Sequence, residues 1–129
     1  MAELAAIELK AHIPSKDFEL SKSFYQDLGF TLCWSHDGLA YLHYGPHGEH
    51  GKPGILLQDF YLKELAENLH MHMIVNDVDA WWAQVQDQRL CEKYGVHAEP
   101  PDDRPWNMRD FVLVDPSGVC WRISSLYRE

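Results

Sequence analysis

The sequence predicts an α+β fold made from two copies of one unit, each running strand, helix and then about three strands. Three observations carry this. Apolar residues alternate at period two in short stretches and recur at period 3.6 in two longer ones. Both helical stretches open on an acidic cap and stop at a glycine. The order then repeats in the second half, down to LHYGPHG (42–48) standing where VLVDPSG (112–118) stands later.

In the first half, IELKAHI (7–13) alternates and reads as a strand closed by Pro14. Ser15 or Asp17 can cap a helix through Leu28, with Leu20, Phe24 and Leu28 at four-residue spacing as its inward face. Gly29 stands where a helix end favours glycine. Phe30 to His36 and Leu39 to Tyr44 are strands around the hairpin turn Asp37-Gly38. Gly45 to Pro53 is a loop, whose His47 and His50, with His43 before it, read as a solvated connection. Gly54 to Gln58 is a short apolar strand.

In the second half, HMHM opens a strand over 70–75. Asp77 or Asp79 opens a helix to about Tyr94-Gly95, with Val78, Trp81, Trp82 and Val85 on one face. The two tryptophans read as helix–sheet core or as a dimer contact. Val96 to Ala98 is a short strand candidate and EPPDDRP (99–105) a loop. Asp110 to Val114 and Val119 to Ser124 are strands around the turn DPSG. The chain is expected to form a single domain over 1–129, with module 1 at about 5–58, a linker at about 59–69 that has helical character, and module 2 at about 70–126.

Bulk properties narrow the function. A chain of 129 residues that is 46% hydrophobic can bury a proper core. No apolar run is long enough to cross a bilayer, and the start lacks a basic region followed by an apolar block, so a cytoplasmic protein with no membrane partner is expected. A net charge of −9 disfavours nucleic acid and is compatible with a cationic ligand. Cys33, Cys91 and Cys120 match no C-x-x-C pattern and read as free thiols. There is no G-x-S-x-G nucleophile elbow and no phosphate loop.

Three stretches carry a family resemblance. KDFELSKSFYQDLGF (16–30), HMHMIVNDVDAWWAQV (70–85) and RPWNMRDFVLVDPSGVCWRI (104–123) resemble the first helix, the second-module strand and helix, and the closing hairpin of the vicinal oxygen chelate superfamily. That group comprises glyoxalases, extradiol dioxygenases and bleomycin-resistance proteins. The resemblance implies two βαβββ modules whose curled mixed sheets surround a cleft. It also implies a divalent metal (Zn, Ni, Mn or Fe) in the enzymes, held by His, Glu or Gln from the first and last strand of each module.

The resemblance places those ligand positions by counting. Seven residues before the acidic residue that opens each helix stand His70 and Lys10. Seven residues after Asp115 stands Arg122, and the fourth position falls near Leu57 or Gln58. An ammonium and a guanidinium do not ligate metals, and two cations disfavour a dication. No metal cofactor is therefore favoured. If one binds, the candidates are His12, Gln58, His70 and His72, including a rearranged set of His12, His70 and His72.

Strand parity gives a cleft lining of Glu8, Lys10 and His12, then His70 and His72, then Cys120, Arg122 and Ser124. Leu9, Ala11, Ile13, Met71, Met73, Trp121 and Ile123 would pack on the helices. The charged lining would orient a ligand or form salt bridges such as Glu8 with Arg122. Trp34, Trp106 and Tyr41 are candidates to stack on a flat ligand, and Gln58 is a polar one. Cys120 with His70 or His72 as base is the nucleophile candidate. The expected protein is a homodimer that binds a small organic ligand or drug, as an antibiotic-resistance protein would, without metal catalysis. The alternatives are a metal-dependent lyase, isomerase or dioxygenase of the same superfamily, and an interaction module with no small ligand.

Overall fold

The computed structural model describes residues 3–44 and 53–126. The chain runs β1 (Ala11–Pro14), α1 (Phe18–Leu28), β2 (Thr31–His36), β3 (Leu39–His43), β4 (Gly54–Gln58) and a short α2 (Lys63–Ala66). The second half runs β5 (His70–Ile74), α3 (Val78–Asp87), α4 (Leu90–Tyr94), β6 (Ala98–Asp103), β7 (Met108–Val114) and β8 (Cys120–Leu126). Two four-stranded sheets result, ordered β1-β4-β3-β2 and β5-β8-β7-β6. In each, the first strand of the module pairs parallel with the last, and the other pairings are antiparallel. The expected duplication is thus present as topology.

Local chemistry explains where most elements start and stop. Asp17 Oδ1 accepts from the Leu20 amide at 3.1 Å and Asp77 Oδ1 from the Ala80 amide at 3.1 Å, so both helices carry the carboxylate cap their sequences offered. Asp37 and Gly38 both have positive φ, at 50° and 76°, which is the twist a two-residue hairpin needs. Each helix packs on one face of its own sheet. Ile13, Leu42, Ile55 and Leu57 of the first sheet and Phe111, Leu113, Trp121 and Ile123 of the second belong to one buried cluster with Phe24, Tyr25, Val78 and Val85 of the helices.

The halves are also joined by a buried polar network. Tyr25 Oη donates to Asp115 Oδ2 and accepts from Trp121 Nε1 at 2.8 Å. Asp115 Oδ1 accepts from the amides of Ser117 (2.8 Å) and Val119 (2.9 Å), which closes the DPSG turn. Burial, together with the neighbouring carboxylate of Asp115, pushes the Tyr25 hydroxyl well above its ordinary range. The Ser-x-x-Phe-Tyr segment of α1, Ser21 to Tyr25, therefore holds the closing turn of the other half.

Five expectations change. The first strand starts at Ala11, not Ile7, because its partner β4 starts at Gly54 and the register is Ala11 to Ile55. Leu9, expected on the helices, is 96% exposed. On α1, Leu20 lies outward while Ser21 and Tyr25 join Phe24 and Leu28 inside. The second long helix breaks: α3 ends at Asp87, Arg89 adopts φ 53°, and α4 follows. Finally, EPPDDRP is mostly strand, not loop. Pro100 and Pro101 are accommodated because β6 is the sheet edge and its register shifts between Glu99 and Asp102. The loop residues His47 and His50 lie outside the described residues.

Candidate functional site

Each sheet has one face turned away from the helices, and the candidate residues collect on these two open faces. On the first sheet, residues opposite one another across the strands share a face. His12 stands beside Leu56, Leu56 beside Tyr41, and Tyr41 beside Trp34. Gln58 stands beside Leu39 on the same face. Trp34 reaches this face because of a bulge. The β2–β3 register shifts between Leu32 and Trp34, so Trp34 opposes Tyr41; without the extra residue it would oppose the buried Ala40.

The result is an aromatic ladder. Trp34 and Tyr41 rings lie 6.1 Å apart, and Tyr41 stacks on His43 at 5.5 Å with 16° between planes. Trp34 remains 46% exposed, so its ring face is reachable from solvent. The segment before β1 crosses this ladder. Lys10 Nζ lies 4.9 Å from the Tyr41 ring centroid and pairs with Glu8. The hydrogen bond that Lys10 donates to Glu8 raises the Lys10 ammonium above its ordinary range, and burial works the other way. Lys10 is therefore a firmly charged cation, not a neutral ligand for metal.

On the second sheet the open face is charged. His70 stands beside Cys120 and His72 beside Arg122. His72 Nε2 and Ser124 Oγ are 2.8 Å apart. The expected salt bridge between Arg122 and Glu8 is not formed: Glu8 pairs with Lys10. Arg122 Nη1 donates to Asp110 Oδ1 at 3.0 Å, and Arg104 Nε donates to the same oxygen at 2.9 Å. The Asp110 side chain is 1% exposed, while those of Arg104 and Arg122 are 26% and 42% exposed. Asp110 was a missed site residue. Its signal was available, since alternation with Phe111 and Leu113 turns it to the open face. Arg104 had no such signal, because it follows a strand that prolines disguised as a loop.

The remaining candidates separate clearly. Trp106 is exposed in the turn before β7. Trp81 and Trp82 are helix–sheet packing residues: Trp82 lies edge-on to Phe111 at 5.1 Å, and Trp81 contacts Phe30 and Tyr44. Burial pushes the Cys120 thiol above its ordinary range, only partly offset by Arg122. A raised thiol holds little thiolate at neutral pH, the wrong direction for a nucleophile.

The donor set does not fit the family's metal. Among the described residues, no three His, Cys, Asp or Glu side chains converge, so the set of His12, His70 and His72 is not formed. Arg122 stands beside His72 on the same row and is held by Asp110. A cation fixed next to a histidine repels a second cation.

The topology, two four-stranded sheets on one core, each pairing its module's first and last strands in parallel, defines a class. The glyoxalase/bleomycin resistance protein/dioxygenase superfamily model matches residues 7–123, and the chain belongs to that superfamily. Among solved structures, it is similar to a bleomycin-binding protein from bleomycin-producing Streptomyces verticillus in complex with copper(II)-bleomycin. That match has a TM-score of 0.74 and 18% identity, and covers 98% of this chain and 100% of that one. It is similar to TnmS3, an antibiotic binding protein from Streptomyces sp. CB03234, with TM-score 0.70, 25% identity and coverage of 96% and 99%. It is also similar to a lactoylglutathione lyase from Agrobacterium tumefaciens, with TM-score 0.64, 15% identity and coverage of 95% and 96%. Among curated proteins, none matches.

Proposed function

We propose that this protein binds a small organic ligand on its open sheet faces, as a drug- or metabolite-binding member of its superfamily rather than a metal-dependent lyase, isomerase or dioxygenase. The observation that carries this reading is the Trp34–Tyr41 aromatic pair, in which Trp34 is exposed, backed by the buried His43 ring stacked on Tyr41. An exposed tryptophan aimed outward by a bulge gives little to the core and suits stacking on a flat ligand. The likeness to bleomycin-binding and other antibiotic-binding proteins supports it. The basic residues at two of the family's four ligand positions support the absence of metal chemistry.

The same faces favour a homodimer within a single-domain subunit. Ile74 and Leu126 on the second open face, Trp106 beside it and Leu4, Ile7 and Leu9 before β1 are all exposed. Apolar surface of this extent is normally covered by a partner, and a second copy would close each open face into a cleft. We place the protein in the cytoplasm; no described helix is long and apolar enough to cross a membrane.

The test is tryptophan fluorescence and thermal shift of untagged protein against cationic glycopeptides, planar aromatics and aromatic carboxylates, with elemental analysis of the same sample. The expected result is saturable quenching by at least one class, abolished by Trp34→Ala, with metal well below stoichiometric. Stoichiometric Zn, Ni, Mn or Fe that disappears in His70→Ala would overturn it.

A further inference from the structure

We propose that Arg122 and Arg104, held together by Asp110, form an anion subsite, so that the ligand bound on the open faces carries a carboxylate, phosphate or sulfate group. This rests on the ligand-binding reading above and names the chemistry of one part of it.

The geometry differs from that of an ordinary stabilising ion pair. A guanidinium that serves a carboxylate alone usually makes two parallel bonds to its two oxygens. Here each arginine gives a single N–H, and both go to the same oxygen, Asp110 Oδ1. Asp110 Oδ2, also buried, has no hydrogen-bond partner among the described residues. Each guanidinium carries five N–H donors, so most donors on both remain uncommitted to Asp110. Two cations on one carboxylate leave the triad with a net positive charge.

Its position makes that charge available. Arg122 lies in the middle of the open face, between Val112 on one side and His72 on the other. Its side chain is 42% exposed, and Ser124 and His72 add a hydroxyl and an imidazole beside it. The burial of Asp110 fixes the pair: a side chain 1% exposed cannot swing away, so the guanidiniums are preorganised before any ligand arrives. The acidic groups that face this cluster are Glu99 and Asp102 on β6. Glu99 stands across Val112 and is bonded to His97 at 3.0 Å, and Asp102 stands across from Asp110. Both lie exposed on the edge strand, where water and salt screen them. An oxyanion at Arg122 would meet directional donors at hydrogen-bond distance and those carboxylates only through solvent.

The experiment compares 2-naphthoate with its neutral isostere 2-naphthamide by tryptophan quenching, at low and high salt. Naphthoate is expected to bind about tenfold or more tightly, as a charge-assisted pair would give. The advantage should shrink with salt, vanish in Arg122→Gln and fall in Arg104→Gln, with naphthoate weakened far more than naphthamide in both. Arg109→Gln, in which the lost side chain pairs with Asp79 and Asp103 instead, should keep the full preference. Equal affinity for the two probes, or a naphthoate preference that survives Arg122→Gln, overturns the subsite. Phosphate titrated alone, followed through thermal shift, separates this from the broader reading. If no naphthyl probe binds but phosphate stabilises the wild type and not Arg122→Gln, the aromatic-ligand reading fails and the anion subsite stands. If neither binds, the subsite is overturned too.

Discussion

The two modules share one topology and one way of packing, yet their open faces differ in character. In the first, the face is aromatic: Trp34 and Tyr41, backed by the buried His43 and crossed by the Glu8–Lys10 pair. In the second it is ionic: Arg122 and Arg104 on Asp110, with His72 on Ser124. The inward faces, by contrast, are largely apolar and merge in one cluster. Duplication kept what packing demands and left the outward positions free to diverge. A ligand that meets both faces would be read for a flat ring by one and for charge by the other.

The largest expected effect comes from cutting the shared core. Trp121 is 2% exposed, and its ring meets Tyr25 and Phe30 of the first module. Trp121→Ala should destabilise by about 3–5 kcal/mol in urea denaturation. A loss below about 1 kcal/mol would mean the inward faces are not one core.

A second, smaller effect tests the joint on the surface. Asp27 at the end of α1 accepts from Lys93 Nζ at 2.6 Å and from Tyr94 Oη in the second module. Burial pushes the Asp27 carboxyl up, but the hydrogen bonds from Lys93 and Tyr94 outweigh it and hold the group below its ordinary range. The folded state therefore binds this proton less readily than the unfolded chain. Its contribution is complete above the ordinary carboxylate range and is lost as pH falls through the lowered folded value. Stability measured against pH should drop less on the acid side in Asp27→Asn than in the wild type. Identical acid limbs would show that the bridge does not contribute.

The smallest effect on stability should come from the open face itself. Trp34→Ala removes a half-exposed ring from an edge strand and should change unfolding free energy by no more than about 0.5 kcal/mol. A large loss would make Trp34 a core residue and remove the contrast between inward and outward positions. The same variant is the one expected to abolish ligand quenching.

What the sequence determined was whatever its neighbours in the chain could express. Helix caps at Asp17 and Asp77, the turn at Asp37-Gly38 and the glycine stop at Gly29 act over a few residues, and all are found where they were expected. The alternation of HMHM also held, with Met73 buried and His70 and His72 outward. Tertiary structure decided the features whose partners lie far along the chain. β1 starts where β4 can pair with it. A proline pair becomes strand because β7 supplies the ladder and the other edge is free. Trp34 turns outward because a bulge shifts it against Tyr41. Arg122 finds Asp110 and not Glu8, because β7 runs alongside β8 while the segment carrying Glu8 lies over the other sheet. Caps and turns depend on local geometry, whereas pairing and charge partnership depend on which strands become neighbours, which no short stretch of sequence contains.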